Sequence, residues 1–282
     1  MERKFNSAGM SHFICPVCNR ELILEGNTFH CVNNHCYDKA KSGYVNLLMS
    51  QTKREKKHGD DKIMLLARRS FLEKGYYKPL LDNILTIIFK YVKNNDVLLD
   101  AGCGEGWYTN NIHRELKRQN YSVSVIGIDI SKTAIDLLAK SNKEIELAVA
   151  SVYKMPVKSE SCNIIVSIFA PVCIEEVRRI LKPGAVFIKV YPLEKHLLSL
   201  KKLIYENVIL NKVQIEEIEG LELIESNTIK DIIHLETNSD ILNLFKMTPY
   251  YYKTGRSDQD KVAVIDELST EIEFGIDVYR RL

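Results

Sequence analysis

The chain has 282 residues, 45% of them apolar and 27% charged, the balance of an ordinary globular protein long enough for about two domains. That excludes disordered and collagen-like chains. No apolar run reaches the ~18 residues of a membrane helix, and the basic start lacks the apolar stretch of a secretory signal, so the cytoplasm is the expected location. Net charge is only +2, but residues 1–80 hold 14 basic against 8 acidic residues and the remainder 25 against 29. The positive charge is concentrated at the front, with six basic residues between Lys39 and Lys57 opposed only by Glu55. Such asymmetry points to a polyanion partner or to a solvated basic loop.

Four of the seven cysteines lie within residues 15–36. An odd count in a cytosolic chain argues against a disulfide framework. Cys15-Pro-Val-Cys18, followed after 12 residues by Cys31-Val-Asn-Asn-His35-Cys36, has the spacing of a tetrahedral zinc site. Cys31 with His35 gives three thiolates and an imidazole; Cys31 with Cys36 gives four thiolates. Four protein ligands leave no open position, so the zinc is structural. A segment this small buries too little apolar surface to fold unaided.

Three regions follow from the pattern: a zinc-binding module over 1–48, a basic linker over 49–60, and a cofactor domain over 61–282. Helical spacing is predicted over 61–94 in two pieces split near Gly75. The chain then alternates. Strands are predicted at Val97–Asp100, Val123–Asp129, Ile145–Ala150, Cys162–Phe169 and Ala185–Tyr191. Helices fall between them, one capped by Ser131 and one ending at Lys182-Pro183-Gly184. Helices near 194–209 and 238–247 and strands near 222–235 and 270–280 complete the chain. The pattern specifies an α/β, Rossmann-like fold: a mostly parallel sheet with helices on both faces.

Between the first strand and its helix stands Asp100-Ala101-Gly102-Cys103-Gly104-Glu105-Gly106. Glycines here admit a ligand close to the backbone. Asp100 at the strand end would repel a pyrophosphate and attract an ammonium group, which favours S-adenosylmethionine over a dinucleotide. Asp129 and Ile130 end the next strand, where a carboxylate takes ribose hydroxyls. Ser151 and Val152 end the third; Ser151 or backbone must meet the adenine amine there. Phe169-Ala170-Pro171 after the fourth strand faces the target atom. It lacks the Asn/Asp-Pro-Pro-aromatic pattern suited to exocyclic amines, which favours a ring nitrogen.

Taken together, these residues resemble the RlmA/TlrB family of 23S rRNA guanine-N1 methyltransferases. The match covers nearly the whole chain. It runs through the zinc motif, Asp38-Lys39-Ala40-Lys41-Ser42-Gly43-Tyr44-Val45-Asn46-Leu47-Leu48, Gly59-Asp60, Ala67-Arg68-Arg69-Ser70-Phe71-Leu72, Gly75-Tyr76-Tyr77, Asp100–Gly106, Tyr108-Thr109, Ala170-Pro171 and Met247-Thr248-Pro249. The resemblance implies a class I S-adenosylmethionine-dependent methyltransferase with a small N-terminal zinc module, and it adds RNA recognition to that module. It implies zinc on Cys15, Cys18, Cys31 and His35, and cofactor contacts at Tyr77, Tyr108, Thr109 and His196 besides Asp100, Gly102, Gly104, Asp129, Ile130, Ser151, Val152 and Ala170. Lys39, Lys41, Lys53, Arg54, Lys56, Lys57, Arg68 and Arg69 would hold phosphates of the RNA; Tyr44 is a candidate stacking platform, with a core residue of the small domain as the favoured alternative. The implied substrate is a guanine in hairpin 35, the 748-type position favoured over the 745-type by lysine-rich composition, with macrolide resistance linked to one branch. A homodimer is expected. No residue announces itself as the base that removes the N1 proton. The rival readings are a zinc-containing methyltransferase of small molecules, which would not need Lys39–Lys57, and a non-catalytic RNA-binding protein on the same fold.

Overall fold

The structure is a computed structural model and describes residues 10–49, 61–213 and 217–282. It opens with four short antiparallel strands, β1 (Met10–Ile14), β2 (Glu21–Glu25), β3 (Thr28–His30) and β4 (Cys36–Asp38), paired in sequence order. β5 (Val45–Asn46) does not join them. It lies parallel to β8 (Glu146–Val149), Val45 opposite Ala148 and Asn46 opposite Val149, and forms the edge of an eight-stranded sheet.

That sheet continues through β7 (Ser124–Asp129), β6 (Val97–Ala101), β9 (Cys162–Ile168) and β10 (Leu181–Pro192), all parallel. It closes with antiparallel β12 (Leu268–Arg281) and β11 (Leu221–Leu235). The helices are α1 (Lys62–Glu73), α2 (Lys78–Tyr91), α3 (Trp107–Arg118), α4 (Lys132–Ser141), α5 (Ile174–Ile180), α6 (Leu198–Ile204), α7 (Asn238–Lys246), α8 (Pro249–Lys253) and α9 (Arg256–Ala263). Asp61, Ser131 and Thr237 cap α1, α4 and α7 by accepting backbone N–H bonds, each worth about 1 kcal/mol. The helix expected over 194–209 is confined to Leu198–Ile204, because Leu197 before it adopts left-handed backbone and Tyr205 after it is extended. None of the described helices is long and apolar enough to cross a membrane.

The sheet's two faces are covered differently. On one, Leu98, Val125, Leu147, Ile164 and Ile188 meet apolar residues of α2, α3, α4, α6 and α7. On the other, Leu99, Ile126, Ile128, Ala148, Ile165 and Phe187 meet α5 and the zinc module's Phe13, Leu22 and Phe29. The four-stranded module thus shares the covering of that face with α5. Ser11 and His12 bond to Glu146, His12 Nδ1 at 2.8 Å. Phe13 bridges to Val157, and Ile14 N–H donates to Pro156 O at 2.8 Å. Tyr44 is 5% exposed within the core, which bears out its reading as a core residue over that as a stacking platform.

Candidate metal centre and cofactor cleft

Two turns make the metal centre. Asn19 and Asn34 adopt left-handed backbone (φ 57° and 60°), a conformation asparagine tolerates. Asn19 N–H donates to Cys15 O at 2.8 Å and Asn34 N–H to Cys31 O at 3.0 Å. The ligand atoms of Cys15, Cys18, Cys31 and His35 all lie within 4.8 Å of one another. His35 Nδ1 is 3.5 Å from Cys15 Sγ and 3.4 Å from Cys31 Sγ, and Cys18 Sγ is 3.6 Å from Cys31 Sγ. A tetrahedron with Zn–S near 2.3 Å and Zn–N near 2.0 Å has edges of roughly 3.5–3.8 Å, so these four fit zinc. The sulfurs are too far apart for a disulfide, which needs about 2.05 Å. Cys36 is exposed and its thiol turns to Asn34 O at 3.5 Å. That leaves His35 as the fourth ligand. Tyr37, one residue on, lies with its hydroxyl 3.1 Å from Cys15 Sγ, where it can donate to a thiolate.

The cofactor cleft lies at the C-terminal ends of the parallel strands. β6 leads to β7 on one side, whereas the chain returns from β8 to β9 on the other, so the strand order reverses at β6. Ligands of open α/β sheets bind at such a switch point. The cleft has a volume of about 940 Å³, and its lining includes Tyr77, Asp100, Gly102, Gly104, Tyr108, Asp129, Ile130, Ala170 and His196. Of the other candidates, Thr109 is fully buried behind it and donates to Asp100 Oδ2 at 2.6 Å. Ser151 and Val152 are not among its lining residues; Ser151 Oγ accepts from Tyr153 N–H at 3.2 Å.

Asp100 is 2% exposed, and burial pushes its carboxyl up to about 7, against which the Thr109 bond works. Its Oδ1 and the Tyr108 hydroxyl are buried without hydrogen-bond partners. Two such atoms in one cleft would be costly unless a ligand met them. Asp129 is held by Gly104 N–H at 3.0 Å and Ser131 N–H at 2.7 Å, so its carboxylate is fixed at the mouth of the turn. Gly102 has φ +91°, and a Cβ there would stand 2.4 Å from Ala170 Cβ. The residues present therefore fit a ligand with an ammonium group and a ribose.

His196 is held neutral, because burial lowers it to about 3 and Lys201 adds to the shift. Glu273 N–H donates to its Nδ1 at 3.2 Å, which leaves the ring proton on Nε2, 3.4 Å from the Tyr77 hydroxyl.

Arg68 and Arg69 reach back to the glycine turn. Arg68 lies 3.8 Å from Glu105, and Arg69 donates to Glu105 O at 3.3 Å. Lys41 is exposed and Lys39 half-buried, while Lys53, Arg54, Lys56 and Lys57 lie outside the described residues. The sequence reading missed the far wall, formed by Lys189, Tyr191, Asn211, Tyr250 and Lys253. These come from separate segments with no local motif. Met247-Thr248-Pro249 was the one local signal, and it does line this wall.

Comparison with known proteins agrees with this geometry. Residues 13–56 match the zinc-ribbon family described as RlmA, N-terminal, and residues 92–247 match a methyltransferase domain. The chain is 31% identical over 189 residues to the 23S rRNA (guanine(748)-N(1))-methyltransferase of Streptomyces fradiae, covering 66% of this chain and 65% of that protein, just under two thirds. It is 28% identical over 279 residues to a putative 23S rRNA (guanine-N(1)-)-methyltransferase of Bacillus subtilis, covering 95% and 96%. A putative enzyme of the same description from Micromonospora griseorubida is 29% identical, covering 68% and 69%. With a ribbon that fits zinc and a cleft that fits S-adenosylmethionine on one sheet, the chain belongs to the methyltransferase-domain family and carries, ahead of that domain, a zinc ribbon that matches the one described as RlmA, N-terminal.

Proposed function

We propose that this methyltransferase transfers a methyl group to N1 of a guanine in 23S rRNA, in hairpin 35 and at the 748-type position, with a bearing on macrolide susceptibility. The observation that carries the reading is the zinc ribbon built into the back of the cofactor sheet, in a chain whose relatives are named for this reaction. Lysine-rich composition favours the 748-type guanine, as does the name of the S. fradiae relative. The paired edge of guanine is closed to an enzyme in a duplex, so the target base stands in a loop or is flipped out. Lys39 and Lys41 on the ribbon, with the basic residues up to Lys57, supply phosphate contacts. A homodimer would widen the surface offered to a branched RNA.

S-adenosylmethionine supplies an electrophilic methyl group. The chain's task is then mainly alignment. Asp100 receives the ammonium group, Asp129 the ribose, and Tyr77, Tyr108 and His196 enclose the remainder.

The test is primer extension on unmodified 23S rRNA incubated with the protein and labelled cofactor. N1 methylation blocks base pairing, so reverse transcription stops at one guanine of the hairpin. Label transferred without a stop would move the target off N1, and cofactor binding without transfer to RNA would favour a small-molecule substrate.

Asp100 also gives the cofactor affinity a pH dependence. A cation binds the ionised carboxylate, and in the free protein that carboxyl titrates near 7. Affinity should therefore weaken roughly tenfold per unit as the pH falls below about 7. Calorimetric titration of the wild type and Asp100→Asn between about pH 5 and 8 checks this. The variant should bind weakly at every pH, with no slope.

A further inference from the structure

The reaction requires a proton to leave guanine N1, and the acids of the cleft do not stand where that happens. Asp100, Glu105 and Asp129 all belong to the cofactor half: Asp129 is bound by two loop amides, and Glu105 pairs with Arg68. Among the described residues, the opposite half presents no carboxylate in its lining. Behind it, where β10 pairs with β12, stands a buried carboxylate, Asp277, which is 1% exposed.

The link between that carboxylate and the cleft is Tyr191. It sits at the C-terminal end of β10, beside the Ala170–Pro171 loop that ends β9, and lines the cleft. Its hydroxyl donates to Asp277 Oδ2 at 2.9 Å, and Ser226 of β11 donates to Asp277 Oδ1 at 2.6 Å. The tyrosine ring lies across Gly275, where a Cβ would approach its Cζ to 2.5 Å. A side chain at 275 would push the ring out of this position. With its own proton committed to Asp277, the Tyr191 oxygen has lone pairs left to accept a donor.

Resting on the guanine-N1 reading above, we propose that Tyr191 is a catalytic residue that accepts the N1 proton, and that Asp277 is its positioning partner and takes the tyrosine's own proton. As the N1–C bond forms and the C–S bond breaks, the sulfonium charge is neutralised. The N1 proton passes to Tyr191 Oη and the Tyr191 proton to Asp277 Oδ2; once the product has left, the same relay run backwards returns the proton through Tyr191 to water in the open cleft. Nothing else is needed for the balance. Burial and the Asp277 charge hold the Tyr191 phenol well above its ordinary range. It is therefore no phenolate at neutral pH and can act only as a relay. Other titratable groups around it include Lys189, whose Nζ is 5.8 Å from the ring, and on β12 Tyr279 and Glu273, of which Glu273 stands two residues from Gly275. The cleft lining adds Tyr250 and Lys253 of α8 and His196. The Glu273 carboxylate is held by Lys230 and the Lys195 N–H, and the Tyr191 hydroxyl donates to Asp277, so Asp277 is the acceptor.

The experiment compares full-length wild type, Tyr191→Phe and Asp277→Asn in single-turnover methylation of the 23S rRNA hairpin, read by primer extension. Cofactor and RNA binding are measured on the same preparations. General-base removal predicts a loss of roughly 100-fold or more in rate for Tyr191→Phe near pH 7, with binding within about twofold of wild type. The loss should shrink as pH rises through about 9, where guanine N1 ionises unaided. Asp277→Asn keeps a hydrogen-bond acceptor but cannot take a proton, and should show the same pH-dependent deficit. A structural role would lower the rate equally at all pH values, and that outcome overturns the proposal. So does a Tyr191→Phe rate within about threefold of wild type. If the wild type itself gives no stop at N1 while binding cofactor, the guanine-N1 reading fails first and takes this one with it.

Discussion

Gly102→Ala should abolish useful cofactor binding. At φ +91° an L-residue is strained, and the new methyl would stand 2.4 Å from Ala170 Cβ, a separation that atoms do not tolerate. The two residues belong to opposite walls, one from the turn after β6 and one from the loop after β9. Relief of the clash must therefore open the cleft or shift the turn that carries Asp100. The backbone strain alone costs roughly 1–2 kcal/mol. With the clash, a loss of about 3 kcal/mol in stability and 100-fold or more in affinity is expected. Gly102→Ala with Ala170→Gly separates the causes: it removes the clash, leaves the strain, and should recover part of the affinity. Calorimetry with the cofactor or its demethylated product decides the matter. A single variant that binds within about threefold of wild type would mean that the two loops part at no cost.

Removal of zinc is the second large effect. In small zinc modules, apparent metal binding energies of about 10–16 kcal/mol are folding energies. Here the consequence should not stop at the module, because Cys15 and Cys31 are buried in the same apolar cluster as Phe13, Leu22, Met155, Val157, Ile126 and Ile128. Chelation, or Cys31→Ser, should free amides of β1–β4 to exchange. It should also raise exchange in β5 and at Val149, which accepts from Leu47 N–H at 2.9 Å. A fall of roughly 10 °C or more in melting temperature is expected of the whole chain. Hydrogen exchange followed by mass spectrometry checks it; unchanged protection at Ala148–Val149 after metal loss would show the ribbon to be energetically independent.

Much of this was legible in the sequence because it is written locally. A buried parallel strand is a short apolar run, so Cys162–Ile168 and Ser124–Asp129 emerged within a residue or two of their ends. The glycine turn is contiguous, and Asp100 and Asp129 fall where strand ends place them. The choice between His35 and Cys36 was not legible. The two are adjacent, and only the left-handed turn at Asn34 and the start of β4 at Cys36 decide which points inward. β5 was missed because two residues carry no periodicity; its pairing is settled by a strand about a hundred positions away. The helices α8 and α9 were missed because they are short, and they gain order by packing on α6 and α7. Tyr191 and Asp277 escaped for a related reason: each reads as an ordinary strand residue until the antiparallel pairing of β10 and β12 brings them together.

The pairing of Val45 with Ala148 also sets an order for the birth of the molecule. On the ribosome the four metal ligands are all available once residue 35 has emerged, so the ribbon can close on its ion early. The strand that follows it must wait for a partner about a hundred residues downstream, roughly 5–20 s at ordinary rates of synthesis. During that interval Phe13, Leu22 and Phe29 have no sheet to cover. The nascent chain is then exposed to aggregation and to chaperones in a way that neither half would be if the ribbon were a separate bead on a string.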